Sequence, residues 1–224
     1  MGSGASCQQP MPKPVYIMGV DEAGRGPLYG PVYAAAVVLK DNKGLFRDSK
    51  SYSTSKALHA ARTLVDEHAV VIGIGSASAE EIDRLNIRKA THLAMHRAIS
   101  EAFSHDGDLS LTNTRLFIDG SDFSPYTKPG DECIVCAEHT CVVKGDTKVP
   151  AISAASIVAK VARDNEIARL CDEDESLDSV YGIRKNKGYG TAQHMLAIRE
   201  HGITNLHRKT FRPCTQFANR DTQN

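Results

Sequence analysis

Apolar residues recur along the chain in two rhythms. Val15 to Asp21 and Val32 to Leu39 are short apolar runs, Val70 to Gly75 and Arg115 to Asp119 are others, and polar or turn-forming residues bound each of them, the mark of strands. In Cys133 to Val143, period-two alternation sets Cys133, Val135, Ala137 and His139 on one face, and the segment is read as a fifth strand. Over Thr54 to His68, Ile87 to Phe103, Ala151 to Leu170 and Thr191 to His201, apolar residues return at three and four, the spacing of helices. Hairpin-like strands first and helix-rich segments later predict an α/β fold, a central mixed sheet of five strands flanked by helices, with a C-terminal helical segment at about 180–212. Residues 1–14 carry Gly, Ser, Gln and Pro without an apolar period and read as a disordered lead, residues 15–212 as one domain, and residues 213–224 as a loose tail.

Composition narrows this picture. With 224 residues, 41% of them hydrophobic, the chain can bury one substantial core. A formal net charge of +0 argues against a globally basic nucleic-acid binder, but the charge is unevenly spread. An acidic run, Asp172 to Glu175 with Asp178, precedes Arg184, Lys185, Lys187, Arg199, Arg208, Lys209 and Arg212, a basic stretch suited to phosphates or to a solvated surface of mixed charge. The 6 cysteines are too sparse for a secreted disulfide scaffold, and neither a signal peptide nor a long apolar span is visible, so a soluble cytoplasmic protein without membrane attachment is expected. Cys133, Cys136, His139 and Cys141 lack the second spaced pair of a structural zinc site, and no zinc is expected. Met1-Gly2 with Ser6 fits the myristoylation pattern formally, but an expression leader or loose tail is the better reading. Gly73-x-Gly75 has Ser78 where a dinucleotide fingerprint needs its third glycine.

The richest chemistry lies in Asp21-Glu22-Ala23-Gly24-Arg25-Gly26-Pro27, at the end of the first apolar run. Adjacent carboxylates at a strand end can hold a hard divalent cation through oxygen, and glycines on either side of Arg25 let the backbone approach a ligand closely. Asp119 ends another strand and Asp146 follows the fifth, so folding can gather four acids at one sheet edge, where α/β proteins bind ligands. Clustered acids resist ionisation unless cations offset them, so the cluster predicts metal, and Mg²⁺ or Mn²⁺ suit carboxylate and water ligands. Two such ions can activate water and stabilise both oxygens of an in-line phosphodiester hydrolysis. Ser153 and Ser156 belong to a narrow, alanine-rich helix and are read as packing residues rather than nucleophiles, since no GxSxG context accompanies them.

The DEAGRGP run resembles the N-terminal signature of the type 2 ribonucleases H, the ribonuclease HII family. Further pieces follow in order: Gly30-Pro31-Val32, Asp48-Ser49-Lys50, Phe117-Ile118-Asp119-Gly120, Lys144-Gly145-Asp146, the run Ile152 to Asp164, Asn186-Lys187-Gly188-Tyr189-Gly190-Thr191, and His207-Arg208-Lys209-Thr210-Phe211. KGD and NKGYGT look more like the single-chain bacterial type than the archaeal or eukaryotic one. The Cys-rich segment before KGD is unusual for the family, as is Thr210 where HRxSF is commoner.

The resemblance implies a ribonuclease H fold and an endoribonuclease that cuts the RNA strand of RNA/DNA hybrids and incises duplex DNA 5′ to embedded ribonucleotides. It implies two Mg²⁺ or Mn²⁺ ions, 3′-hydroxyl and 5′-phosphate ends, service in replication and ribonucleotide excision repair, and a monomer. Carried over residue by residue, it makes Asp21, Glu22, Asp119 and Asp146 the catalytic, metal-holding set. Gly24, Arg25 and Gly26 then contact the ribonucleotide, and Tyr189 sits against the sugar at the RNA-to-DNA junction. Lys187, Arg184, Lys185 and Arg208 are candidate phosphate contacts that position a duplex without reading it. Asp164, well inside a long helix, is read as a salt-bridge or ligand-supporting partner. Two rivals stay open: a DNA-cutting nuclease of the same fold, and a nucleic-acid-binding subunit without catalysis, against which the intact set of acids argues.

Overall fold

The computed structural model describes residues 15–41, 46, 49, 52, 54–129 and 134–218. Expectations for the lead, for Asp48, Lys50 and Cys133, and for the last six residues lie outside this range. The elements run β1 (Tyr16–Ala23), β2 (Val32–Leu39), α1 (Ser55–His68), β3 (Ala69–Ala77), α2 (Ala79–Leu85), α3 (Ile87–His105) and β4 (Thr114–Asp119). There follow β5 (Thr127–Pro129), β6 (Ile134–Cys136), β7 (His139–Val142), a 3₁₀ turn at Gly145–Thr147, α4 (Pro150–Glu173), α5 (Ser176–Ser179), α6 (Ile183–Asn186) and α7 (Ala192–His201). Among the described residues no helix is long and apolar enough to cross a membrane.

Five strands form one mixed sheet in the order β3-β2-β1-β4-β7. β1 pairs antiparallel with β2 but parallel with β4, and β4 pairs parallel with β7. Three neighbouring strands thus end at the same edge, and the register that sets Val20 opposite Ile118 brings Asp21 level with Asp119. The expected fifth strand is shorter than its apolar pattern. Ile134–Cys136 pairs with β5 in a separate small ribbon, while His139–Val142 alone joins the main sheet. Between them the Ala137 amide donates to the Tyr126 carbonyl and the Glu138 carbonyl accepts from Leu116, so the chain bends from one ribbon to the other.

Helices cover both faces of the sheet, which is why β2 is apolar at nearly every position. Ala34, Ala36 and Val38 pack with Met95, Ala98 and Ile99 of α3 on one side. Ala35, Val37 and Leu39 pack with α1 and α4 through Leu58, Val65, Ala154, Ala155 and Val158 on the other. The backbones approach closely where side chains are missing. A Cβ on Gly73 or Gly75 would overlap the α3 backbone, and one on Gly19 would overlap α4 at Ala151. The Gly73-x-Gly75 pair therefore serves helix-on-sheet contact.

α2 escapes the sequence pattern because it is only seven residues long, although Ser78 and Glu81 form a complete capping box at its start. A third cluster joins Leu28 and Tyr29 to Ile167, Tyr181, Ile183, Ile198, Cys214 and Phe217. The tail expected to be loose from residue 213 is therefore packed as far as Phe217, because Cys214 and Phe217 supply buried apolar surface that their polar neighbours hide in the sequence.

Candidate active site

The sheet edge opens into a cleft of about 250 Å³ walled by Asp21, Glu22, Gly24, Arg25, Gly26, Ser49, Asp119, Ser156, Lys160, Arg163 and Tyr189. Asp21 and Glu22 close β1 and Asp119 closes β4, so the parallel pairing of those two strands is what gathers the acids. Asp146 stands in the 3₁₀ turn just behind, buried and absent from the cleft wall. Its neighbour Gly145 donates its amide to Asp119 Oδ1 at 2.7 Å, and Ser153 Oγ donates to the Asp146 carbonyl at 2.6 Å.

These carboxylates are held at an electrostatic cost. Burial lifts the Asp21 carboxyl well above its usual range, and Glu22 and Asp119 push it further, against the Glu22 amide at 2.7 Å and the Ser156 hydroxyl. Burial also raises Glu22, partly countered by Arg25, whose Nη1 lies 3.3 Å from Glu22 Oε1. Cations in the cleft would relieve this strain. The wall offers carboxylate and hydroxyl oxygens and no thiol or imidazole, a donor set that fits a hard divalent ion in kind. Among the described residues no three His, Cys, Asp or Glu side chains already converge on one point for a metal ion, and Asp21, Glu22 and Asp119 each turn an oxygen to an internal donor.

The glycine turn beside the acids is fastened from beneath. Arg208 is fully buried, and its guanidinium donates to three backbone carbonyls: Nη2 to Gly24 at 2.6 Å, Nη1 to Arg25 at 2.9 Å and Nε to Gly30 at 2.9 Å. This corrects the expectation that Arg208 contacts phosphate, because its guanidinium is fully buried and turned to backbone carbonyls. Residues 206–208 reach that position by running antiparallel to 28–30, with a bridge between Tyr29 and His207. The next two residues are pinned to α2, the Lys209 and Thr210 amides donating to the Asp83 carboxylate at 2.9 Å each.

Arg163 is a site residue that the sequence reading did not single out, and its only signal was its place before Asp164. It is 2% exposed, donates to the carbonyls of Lys187 at 2.9 Å and Pro31 at 3.3 Å, and lies against Gly24. Gly24, at φ +95, leaves no room for a Cβ there, which would overlap the Arg163 side chain. Burial lowers the Arg163 pKa, and burial with Arg163 nearby lowers that of Arg208 to about 9.

Tyr189 is half-exposed, and a Cβ on Gly26 would lie 3.4 Å from its ring. Its carbonyl accepts from His194 Nδ1 at 3.0 Å, which leaves His194 Nε2 to accept from His207 Nε2 at 3.1 Å. His207 Nδ1 in turn accepts from the Thr204 amide at 2.9 Å. Both rings are thereby neutral, and burial, with His194 beside it, pushes the His207 pKa down to about 3.

The remaining expected contacts scatter. Lys187 caps α6 in the left-handed conformation and offers its carbonyl to Arg163. Arg184 is exposed and paired with Asp172 at 2.5 Å and Asp178 at 3.6 Å, so part of the acidic run answers the basic one. Asp164 pairs with Lys160, whose side chain helps wall the cleft, while Asp164 Oδ1 is buried without a hydrogen-bond partner.

Comparison with known proteins fits this arrangement. The family description Ribonuclease HII matches residues 18–214. The chain is 45% identical to Ribonuclease HII of Bacteroides thetaiotaomicron over 195 residues, covering 86% of this chain and 88% of that one. It is also 45% identical to the Nitrosomonas europaea protein of the same name, over 88% and 83%. Among solved structures, ribonuclease H2 from Pyrococcus horikoshii OT3 shares the fold at TM-score 0.69 and 21% identity, covering 94% of this chain and 100% of that one. Bst-RNase HIII, solved in complex with Mn²⁺, does so at TM-score 0.62 and 17% identity, over 98% and 77%. The motifs, the five-stranded sheet with acids at its edge and these relatives agree: the chain belongs to the Ribonuclease HII family and is a hydrolase of the ribonuclease H type.

Proposed function

We propose that the protein is an endoribonuclease that hydrolyses the RNA strand of RNA/DNA hybrids and incises duplex DNA on the 5′ side of an embedded ribonucleotide. One observation carries the reading: the acids that can support phosphodiester hydrolysis and the Gly24–Gly26 turn and Tyr189 that can sense a sugar wall the same cleft. Asp21, Glu22, Asp119 and Asp146 would hold two Mg²⁺ or Mn²⁺ ions, which when bound supply neutralisation of the acid edge and activation of water.

The chain's own residues orient the substrate. The glycine turn admits close approach of a ribonucleotide, whose 2′-hydroxyl alone separates it from its DNA neighbours. The exposed face of Tyr189 packs on the adjoining sugar. Lys160 and Arg25 stand on the cleft wall, where cations can steady phosphates, and Lys187 follows the basic stretch toward Tyr189. Water attacks phosphorus and the bond to the 3′ oxygen breaks, so the upstream strand keeps a 3′-hydroxyl and the downstream strand a 5′-phosphate.

The experiment is incision of a labelled duplex with one ribonucleotide beside an all-DNA twin, in Mg²⁺, in Mn²⁺ and in chelator. Metal-dependent cutting 5′ of the ribonucleotide, with the twin intact, is expected. Equal cutting of the twin would establish a DNA nuclease, and no cutting under either metal would establish a binding subunit.

A further inference from the structure

A trans peptide unit holds its carbonyl and its amide N–H on opposite sides. The Gly24 carbonyl shares a peptide with the Arg25 amide, and the Arg25 carbonyl shares one with the Gly26 amide. Arg208 draws both carbonyls inward, at 2.6 and 2.9 Å, so both N–H bonds point away from it, in a turn that lines the cleft together with Tyr189. A guanidinium on the carbonyl oxygen also polarises each peptide and strengthens its N–H as a donor. Arg163 completes the brace by tying the Lys187 carbonyl to the same turn, so that the amides and Tyr189 are fixed relative to one another.

We propose that Arg208, with Arg163 behind it, is a positioning residue for ribose recognition that aims and polarises the Arg25 and Gly26 amides toward the 2′ oxygen of a ribonucleotide. The inference rests on the ribonucleotide reading above. It explains why two buried cations donate to backbone carbonyls directly beneath a loop on the cleft wall. Lysine cannot replace Arg208, since one ammonium cannot span the carbonyls of Gly24, Arg25 and Gly30 as a planar fork does.

The test is equilibrium binding, in chelator, of the ribonucleotide duplex and its all-DNA twin to the parent protein and to Arg208→Lys, with thermal melts in parallel. The parent is expected to prefer the ribonucleotide duplex, and Arg208→Lys to lose about tenfold of that preference, the scale of one or two hydrogen bonds. A variant that weakens both duplexes by one common factor, or keeps the preference whole, would overturn the proposal. No preference in the parent would instead overturn the ribonucleotide reading beneath it. Should Arg208→Lys fail to fold, amide proton resonances of the parent decide. Those of Arg25 and Gly26 are expected to shift with the ribonucleotide duplex and not with the twin, and equal shifts would refute the assignment.

Discussion

On the β1–β4 edge, buried Asp21 stands beside half-buried Glu22 and Asp119, each turned partly to an internal donor, and Asp21 is held far from its ordinary titration range. Three residues along, the turn rests on Arg163 and Arg208, buried cations whose donors are met by backbone carbonyls. The first region stores repulsion that a bound cation relieves, and the second holds charge to keep a loop rigid. On the proposed function, chemistry and selection would thus occupy two walls of one cleft with opposite electrostatics, and substitutions should separate them.

Asp21→Asn should show the largest effect. Losing several kcal/mol of transition-state stabilisation cuts the incision rate by about a thousandfold or more. The same change should stabilise the metal-free protein. Because burial and neighbouring acids raise its pKa, native Asp21 binds its proton more tightly than the unfolded chain does, so stability falls as pH rises above 3.8 toward the raised value. At neutral pH Asn removes that cost, and calorimetry in chelator should show the midpoint rising by about 3 °C, the shift made by roughly 1 kcal/mol in a domain of this size. A drop in the midpoint would mean that the acid edge is not strained.

Gly24→Ala tests the other wall. A Cβ at φ +95 against Arg163 should cost about 2 kcal/mol in a urea melt. Incision at single ribonucleotides should fall further than the lost stability explains.

The histidine pair behind Tyr189 sets a pH-dependent limit. An unfolded imidazole gains its proton near 6.5 and the buried His207 only near 3, so the unfolded state binds the extra proton between those values. Stability should therefore decline as pH falls below about 6.5, by up to about 1.4 kcal/mol per unit. Denaturant melts of His207→Gln should show a shallower acid slope, and an unchanged slope would remove His207 as the cause.

Arg184→Ala should be nearly silent in stability, since its partners are exposed and such ion pairs contribute about 0–1 kcal/mol. If Arg184 nonetheless meets phosphate, the salt dependence of duplex binding should lose about one unit of slope.

Much of this division was legible in the residues. The apolar runs located β1 to β4 and the four long helices within a few residues, and the motifs placed Asp21, Glu22 and Asp119 at one edge. What the pattern concealed depends on contacts distant in sequence. Arg208 looks like any basic residue of a charged tail until residues 28–30 pair with it, and Arg163 looks like a helix surface charge until Gly24 packs on it. β6 and β7 read as one strand in the sequence because period two continues past the point where hydrogen-bond partners change.

The separation of chemistry from selection is tested most directly by binding Asp119→Asn and Tyr189→Ala, in Mg²⁺, to the ribonucleotide duplex and to its all-DNA twin. Asp119→Asn should cut neither duplex yet keep the parent's preference for the ribonucleotide, while Tyr189→Ala should bind the two almost equally. Loss of the preference in Asp119→Asn, with its retention in Tyr189→Ala, would contradict the account.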